Sequence, residues 1–218
     1  MKNIGVDIDG VIVDTVEVYL QYIYKVTGRR FKQKDITEYF FEDCLAISRE
    51  EVTKAVEMMF EEDIWDSIPF YDGALDALKK IGSEHNLYII TSRPPVAKKS
   101  TQAWIQKRGI PAEKTIFTDM DSKLDYIKEH DLELDCFIED RLEFALEVAQ
   151  EVPEVLLMDR PWNRRSVKKN SLNDCFLTTE GSAMFGEEPL KGNNSNGLVR
   201  VKNWAEIIER IFNDEPKK

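Results

Sequence analysis

The sequence contains little histidine and little cysteine, with two and three residues respectively among 218. His85 and His130 both lie near the ends of predicted helices, which argues against a histidine-based catalytic triad or a histidine-rich metal site. Cys44, Cys136 and Cys175 are odd in number and form no Cys-x-x-Cys pair. A disulfide framework is therefore not expected, and reduced thiols favour a cytoplasmic location.

Long apolar runs and an excess of positive charge are also missing. No stretch approaches the ~20 apolar residues of a membrane span, and the amino-terminal residues lack the apolar core of a signal peptide. The net charge of −11 disfavours binding to a nucleic-acid polymer, because lysine and arginine supply most phosphate affinity. We expect neither a membrane nor a nucleic acid as partner. One basic cluster stands out, and we interpret it as a solvated loop: Arg160, Arg164, Arg165, Lys168 and Lys169.

An acidic motif directly follows the first apolar segment. Residues 2–8 include isoleucine and valine but no proline, which favours a buried β-strand. Asp7 and Asp9 would share one face of a continuing strand, and Gly10 permits a sharp turn after them. Two carboxylates this close repel each other unless a cation or a shared proton relieves them. Mg²⁺ is the natural partner, because it prefers oxygen ligands and binds one or two carboxylates together with phosphate and water.

Short apolar segments alternate with helical patterns through much of the chain. After the first strand, the predicted strands cover residues 87–90, 115–117, 134–138 and 155–158. Asp72 is predicted to cap a helix that ends near Gly82. This alternation predicts an α/β fold, a Rossmann-like parallel sheet with helices on both faces. Sites in such sheets form beyond the carboxyl ends of the strands, where Asp7, Thr91 and Asp140 are all predicted to lie.

Two segments interrupt the alternating pattern. Residues 15–68 contain two amphipathic helical patterns, the second beginning with a capping-box signature at 48–51. We expect this segment to form a small helical cap over the site, inserted after the first strand. Residues 164–198 are polar and rich in asparagine and glycine, which is typical of an irregular insertion. The α/β core is then expected to comprise residues 1–14 and 69–218.

The acidic motif and two later segments resemble the haloacid dehalogenase-like (HAD-like) phosphohydrolases. The first motif of that family, a strand followed by Asp-x-Asp-Gly-Val, is similar to residues 7–11. A serine or threonine that ends the second strand corresponds to Thr91. An acidic pair after the fourth strand corresponds to Glu139 and Asp140, although glutamate is less common than aspartate or glycine at the first of these positions. The resemblance covers about residues 2–160 and implies the HAD-like core fold.

The remaining family motif is a lysine that precedes the fourth strand. Lys123, at a predicted helix start, fits this motif best, while Lys114 and Lys128 are competitors. A positive charge there would offset the charge of the nucleophile and of the phosphoryl oxygens.

The resemblance implies a role for each matched residue. Asp7 would be the nucleophile that accepts the phosphoryl group, and Asp9 would be the general acid and base. Mg²⁺ would bind the carboxylates of Asp7 and Asp140 and the backbone carbonyl of Asp9. The implied substrate is a small phosphorylated molecule. Its phosphoryl oxygens would be bound by Gly10, Thr91, Ser92 and Lys123.

Three longer stretches resemble the 5'(3')-deoxyribonucleotidase branch of the family. They are residues 91–94, 137–145 and 157–163. This branch implies a (deoxy)nucleoside monophosphate as substrate. Arg93 and Trp162 would then lie near the phosphate or the base, or pack behind the residues that contact them, and Glu139 would lie beside the substrate or support its ligands.

Other functions are compatible with the same residues. The sugar-phosphate branch of the family, which includes phosphoglucomutases, shares Asp-Gly-Val-Ile-x-Asp-Thr at 9–15 but usually carries Gly-Asp-Ser at the fourth motif. A response-regulator receiver also has an acidic pocket with a threonine and a lysine, although the chain length and the helical segment argue against it. A catalytically silent binding protein is the last alternative. The sequence does not predict an oligomeric state.

Overall fold

A parallel β-sheet forms the centre of the molecule in the computed structural model, which describes residues 1–62, 64–118, 122–164 and 197–213. Its strands are β1 (Asn3–Val6), β2 (Asn86–Thr91), β3 (Lys114–Phe117), β4 (Cys136–Glu139), β5 (Glu154–Met158) and β6 (Leu198–Val201). Their order across the sheet is β3-β2-β1-β4-β5-β6, and every pair is parallel. The carboxyl ends of β1, β2 and β4 therefore lie at one edge of the sheet.

Helices occupy most of the segments between the strands. They are α1 (Thr15–Thr27), α2 (Phe41–Cys44), α3 (Arg49–Glu61), α4 (Ala74–Glu84), α5 (Lys98–Arg108), α6 (Lys123–Glu129), α7 (Leu142–Val148) and α8 (Trp204–Asn213). Short 3-10 turns occur at Gln33–Asp35, Ile64–Ser67, Pro95–Ala97 and Pro161–Asn163. None of the helices in the described part of the chain is long and apolar enough to cross a membrane.

Side chains of the strands alternate between two hydrophobic clusters, one on each face of the sheet. Ile89 and Ile138 belong to a cluster that includes side chains of α4, α5 and α8. Their neighbours Ile90 and Phe137 belong to a second cluster with side chains of α6 and α7. The strands are therefore buried on both faces, as parallel strands usually are. The prediction of an α/β fold with helices on both faces of a parallel sheet is confirmed.

The segment between β1 and α4 leaves the sheet and returns at the same place. Val13 forms an antiparallel bridge with Phe70, and the N–H of Asp14 donates to the carbonyl of Pro69 at 2.8 Å. Between these points, α1 packs against α3. The predicted capping box is present at the start of α3, where Ser48 and Glu51 bond to each other's backbone N–H groups.

The boundaries of α4 differ from the prediction. Gly73, with φ of +75°, is the N-cap residue in place of Asp72. The helix also continues past Gly82 to Glu84. A Cβ atom at Gly82 would lie 2.4 Å from Cγ of Pro111. The glycine at this position is therefore explained by the close packing of α4 against Pro111, and it does not mark the end of the helix.

β6 is a strand that the sequence did not predict. It pairs with β5 in a register that joins Val155 to Leu198 and Met158 to Val201. The predicted irregular insertion at 164–198 overlaps β6 only at Leu198, and residues 165–196 lie outside the described residues. A four-residue edge strand has too short a pattern to identify by itself, and its partner β5 is distant in sequence.

Candidate active site

The loop after β1 places Asp7 at the edge of the sheet. β1 ends at Val6, so the chain leaves the sheet earlier than predicted, but the N–H of Asp7 still donates to the carbonyl of Ile138 in β4 at 3.0 Å. The carbonyl of Ile8 then accepts the N–H groups of both Ile12 and Val13. These hydrogen bonds fold the chain tightly back on itself and direct Asp7 towards β4.

Gly10 sits in this loop in a conformation that other residues rarely adopt. Its φ is +80°, and a Cβ atom here would lie 2.0 Å from Oδ2 of Asp140. Glycine thus allows the loop after β1 to contact the residue that follows β4.

Lys123 is the lysine that reaches this edge of the sheet. It is the first residue of α6, whose N-cap Ser122 accepts the N–H of Asp125 at 3.2 Å. Its Nζ donates to Asp7 at 2.7 Å and to Glu139 at 2.6 Å, and the side chain is 1% exposed. The competing lysines lie elsewhere: Lys114 is exposed on β3, and Lys128 pairs with Glu151.

Glu139 ends β4, Asp140 follows it, and the two make different contacts. Glu139 Oε2 accepts from Lys123, and its Oε1 accepts the N–H groups of Asp140 and Arg141 at 2.9 and 3.0 Å. The carboxylate of Asp140 accepts from the indole N–H of Trp162 at 2.8 Å. Glu139 therefore has both oxygens engaged by donors of the protein, whereas Asp140 has no cationic side chain among its described hydrogen-bond partners.

Three carboxylates form a buried cluster at this edge. Oxygens of Asp7, Glu139 and Asp140 lie within 4.8 Å of one another. Burial raises the pKa of Asp7 to about 7 against the opposing charge of Lys123, and the charge of Glu139 adds to the rise. Burial and the neighbouring carboxylates also raise the pKa of Asp140 well above its usual value. Burial opposes ionisation of Glu139 as well, but Lys123 and the backbone N–H groups lower its pKa below the usual range.

With all three carboxyl groups ionised, the cluster would carry more negative charge than Lys123 offsets. Its donors are carboxylate oxygens, which are the ligands that a hard divalent cation such as Mg²⁺ prefers. The residues present thus fit a divalent metal site.

Asp9 faces the same region but has a separate partner. Arg93 donates from Nε and Nη2 to the two carboxylate oxygens of Asp9, each at 2.8 Å, and the hydroxyl of Thr15 donates as well. Burial opposes ionisation of Asp9, but the charge and hydrogen bonds of Arg93 lower its pKa below the usual value. Arg93 itself is held by Thr101 at 3.1 Å and lies over the ring of Trp65 at 4.1 Å. The carboxylate of Asp9 is therefore fixed as an anion.

The two hydroxyl residues after β2 differ in position. Thr91 is completely buried, and its Oγ1 accepts the N–H of Arg93 at 3.3 Å. Ser92 lines the cavity above the carboxylates, where Thr91 is not among the lining residues. The hydroxyl of Ser92 also lies 3.4 Å from that of Thr118.

A cavity of about 370 Å³ opens above the carboxylate cluster. Eight of its 23 lining residues are aromatic, and the segment between β1 and α4 supplies six of them: Tyr19, Tyr39, Phe40, Phe41, Phe60 and Trp65. Arg141, which sequence reasoning did not single out, lies 4.2 Å from the ring centres of both Tyr39 and Phe144. Its position directly after the acidic pair is the sequence feature that could have identified it as a site residue. The cavity therefore combines acidic groups at its base with aromatic rings around its walls.

The interpretation of the basic cluster as a solvated loop is wrong for Arg160. This residue is 9% exposed, its Nε donates to the carbonyl of Gly10 at 2.8 Å, and its guanidinium lies 3.8 Å over the ring of Tyr71. It lies two residues after the end of β5 and so reaches the same sheet edge as the acidic residues. Arg164 is exposed and pairs with Asp159, while the remaining members of the cluster lie outside the described residues.

The strand order, the two aspartates after β1, the lysine at the start of α6 and the acidic pair after β4 together define a HAD-like phosphohydrolase. Within this class, the chain belongs to the family described as "5' nucleotidase, deoxy (Pyrimidine), cytosolic type C protein", whose family model matches residues 1–174.

Two bacterial relatives agree with this family. A protein of Halalkalibacterium halodurans, provisionally named a nucleotidase, is 30% identical over 171 residues, which cover 78% of this chain and 85% of the relative. A protein of Clostridium acetobutylicum named a nucleotidase is 26% identical over 217 residues, which cover 96% of this chain and 95% of the relative.

Solved structures agree on the fold alone. A Thermotoga maritima protein provisionally named a β-phosphoglucomutase has a TM-score of 0.57 at 16% identity, over 98% of this chain and all of that chain (100%). A Bacillus subtilis protein provisionally named a HAD hydrolase, solved with bound magnesium, has a TM-score of 0.55 at 12% identity, over 97% of this chain and 98% of that chain.

Proposed function

We propose that the protein is a Mg²⁺-dependent phosphatase that hydrolyses (deoxy)nucleoside monophosphates through an aspartyl phosphate on Asp7. One observation carries this proposal: Asp7, Lys123 and Asp140 meet at one sheet edge, at the base of an aromatic cavity. The family supports the reaction class, and the names of the two bacterial relatives support a nucleotidase.

In this account Asp7 and Asp140 hold the cation by their carboxylates, and Asp9 contributes its backbone carbonyl. When bound, Mg²⁺ neutralises charge on the phosphoryl oxygens and helps to orient the phosphate. Glu139 is not assigned as a ligand, because both its oxygens already accept hydrogen bonds from the protein. Its role is to hold Lys123 and the turn after β4.

The first chemical step forms a bond between a carboxylate oxygen of Asp7 and phosphorus. The bond from phosphorus to the leaving oxygen breaks, and that oxygen takes a proton from Asp9. Lys123 and the hydroxyl of Ser92 bind the phosphoryl oxygens, with Thr91 supporting this edge of the site. The N–H of Gly10 is not assigned to the phosphate, because it donates to the carbonyl of Val13 at 3.0 Å. Water then attacks the phosphorus of the aspartyl phosphate and gives a proton to Asp9, which releases inorganic phosphate and restores Asp7.

The contacts of Asp9 add a condition to this mechanism. A carboxylate whose two oxygens accept hydrogen bonds from Nε and Nη2 of Arg93 cannot also donate a proton to the substrate. We therefore infer that at least one of these hydrogen bonds breaks when the substrate binds. Asp9 can then become protonated and face the leaving oxygen.

The aromatic walls favour a nucleotide over a sugar phosphate. Planar rings provide large apolar surfaces on which a nucleobase can stack, whereas a hexose offers mainly hydroxyl groups. Most of these rings come from residues 15–68, and we assign this segment as a cap that covers the substrate, with residues 1–14 and 69–218 as the core. A cytoplasmic location is consistent with the free thiols of Cys44 and Cys136 in the described residues.

The reaction is tested by measuring phosphate release from a panel of deoxynucleoside monophosphates, with Mg²⁺ and with a chelator. We expect Mg²⁺-dependent turnover, and a loss of about 10³-fold or more in Asp7→Asn, because removal of a nucleophile abolishes the covalent route. Asp76→Asn, on the exposed face of α4, is the matched control and should retain the wild-type rate.

The same panel should include hexose phosphates. Faster turnover of nucleotides than of hexose phosphates supports the nucleotidase assignment, and equal rates would contradict it. If no phosphomonoester released phosphate in a Mg²⁺-dependent reaction, the phosphatase itself would be excluded.

A further inference from the structure

The segment after β5 contacts both the loop that follows β1 and the residue that follows β4. Arg160 is the N-cap residue of the 3-10 turn Pro161–Asn163, and the side chain of Asn163 accepts the N–H of Arg160 at 3.2 Å. Arg160, Trp162 and Asn163 are 9%, 7% and 2% exposed, so the turn is a buried part of the core. Arg160 binds the carbonyl of Gly10 in the loop after β1, which leaves two side chains of the turn facing β4.

Both of these side chains bind Asp140. The Nδ2 of Asn163 donates to the carbonyl of Asp140 at 2.6 Å and to that of Met158 at 2.7 Å, which joins the ends of β4 and β5. The Nε1 of Trp162 donates to the carboxylate oxygen Oδ2 of Asp140 at 2.8 Å. The backbone and the carboxylate of Asp140 are therefore held separately by two neighbouring residues.

The contact from Trp162 restrains the rotation of the carboxylate. An indole has one N–H and no acceptor atom, so Trp162 can only donate a hydrogen bond to the carboxylate. The ring is large and buried, and its orientation is therefore fixed by packing. Gly10 lies against the same oxygen, since a Cβ atom on Gly10 would come within 2.0 Å of it. These two contacts restrict the rotation of the Asp140 carboxylate.

We propose that Trp162 is a positioning residue for Asp140, and that its N–H holds the carboxylate in the orientation that receives the divalent cation. This inference rests on the metal site of the proposed function. Hydrogen bonds from residues behind a metal ligand commonly change metal affinity or activity by about 10- to 100-fold when they are removed. Trp162 also lines the cavity, so stacking on the substrate is the role that the test must separate from positioning.

The test measures Mg²⁺ binding to the intact protein by titration calorimetry, without substrate. Trp162→Phe keeps an aromatic ring but loses the N–H, and we expect Mg²⁺ affinity to fall by about 10- to 100-fold. Trp104→Phe is the matched control, since Trp104 is 3% exposed and its Nε1 makes no hydrogen bond within the described residues. Its Mg²⁺ affinity should equal that of the wild type.

Wild-type Mg²⁺ affinity in Trp162→Phe would overturn the proposal, as would an equal loss in both variants. A raised KM for the nucleotide with unchanged Mg²⁺ affinity would assign Trp162 to substrate stacking and would also overturn it. Because binding is measured without turnover, the result stands apart from the phosphatase assay. Absence of hydrolysis would refute the proposed reaction while leaving the effect of Trp162 on cation binding measurable.

A second measurement on the wild-type protein does not depend on how well the variant folds. The indole N–H resonance of Trp162 in the nitrogen–proton correlation spectrum should shift when Mg²⁺ is added, because its acceptor Asp140 gains a cation. The resonance of Trp104 should stay in place. A Trp162 resonance that did not move at saturating Mg²⁺ would contradict the proposal.

Discussion

At the scale of single residues, the site depends on a buried cation and a glycine. Lys123 is 1% exposed and shared by Asp7 and Glu139, from which it is separated by 116 and 16 positions in the sequence. Gly10 combines a positive φ with direct contact to Asp140. Family resemblance predicted both residues as phosphate-binding groups. It did not predict that Lys123 would also neutralise Glu139, because that contact depends on how α6 packs beside β4.

Replacement of Lys123 should destabilise the protein. Lys123→Met leaves two buried carboxylates without their cation, and breaking a buried ion pair in this way typically costs about 3–5 kcal/mol. Chemical denaturation without Mg²⁺ measures the free energy of unfolding. The control is Lys128→Met, which removes an ion pair with Glu151 that is about half exposed, and should change stability by about 0–1 kcal/mol. Equal effects of the two substitutions would show that the buried pairs do not stabilise the fold.

A methyl group at Gly10 should damage the site as well as strain the backbone. Gly28 is the matched control, because its φ of +71° is similar but no atom lies within 4 Å of its added Cβ. Gly28→Ala should cost about 1 kcal/mol from the backbone alone. Gly10→Ala should cost more and also weaken Mg²⁺ binding, since its methyl group displaces Asp140. Calorimetry and denaturation of both variants check this, and equal stability with intact Mg²⁺ affinity in Gly10→Ala would count against the close contact.

At the scale of elements, structural features that arise within one helix or strand could be predicted from the sequence. Features that depend on contact with another element could not. The capping box at Ser48 and Glu51 is local, and it was predicted and found. β6 becomes a strand by pairing with β5, and this pairing cannot be read from four residues. The N-cap of α4 at Gly73 in place of Asp72 is a similar case, since the turn that precedes the helix is tied by the N–H of Tyr71 to the loop after β1.

The capping box should contribute measurably to the stability of the segment that walls the cavity. Ser48→Ala removes the acceptor for the N–H of Glu51, and loss of such a cap costs about 1 kcal/mol. Ser83→Ala is the control, because Ser83 is exposed near the end of α4 and bonds within its own helix. It should change the free energy of unfolding by less than about 0.5 kcal/mol. A Ser48→Ala protein as stable as Ser83→Ala would show that the cap does not stabilise α3 in the folded protein.

At the scale of the whole molecule, one rule of parallel sheets accounts for most of the site. The rule that sites form beyond the carboxyl ends of the strands placed Asp7, Thr91 and Asp140 together, and the structure brings all three to the same edge. The rule does not predict where each side chain turns. Asp9 is bound by Arg93, and Trp162 reaches Asp140 from the next strand, because these orientations depend on packing between distant segments.

Cation binding should stabilise the whole fold. Mg²⁺ at 100 times its dissociation constant should raise the free energy of unfolding by about 2.7 kcal/mol, because it binds the folded state. Asp140→Asn should lose this effect, although without Mg²⁺ it should be at least as stable as the wild type, since one of the repelling charges is gone. Asp125→Asn, exposed on α6, is the control and should retain the full effect. Equal stabilisation of Asp140→Asn and the wild type would place the cation elsewhere.

The most direct test of the account is a crystal structure of the protein with Mg²⁺ and beryllium trifluoride, a mimic of the phosphoryl group. We predict one Mg²⁺ between Asp7 and Asp140, with oxygen ligands at about 2.0–2.1 Å, and the mimic attached to a carboxylate oxygen of Asp7 within reach of Lys123. A structure with the cation outside the carboxylate cluster, or with the mimic attached to a different residue, would contradict the account.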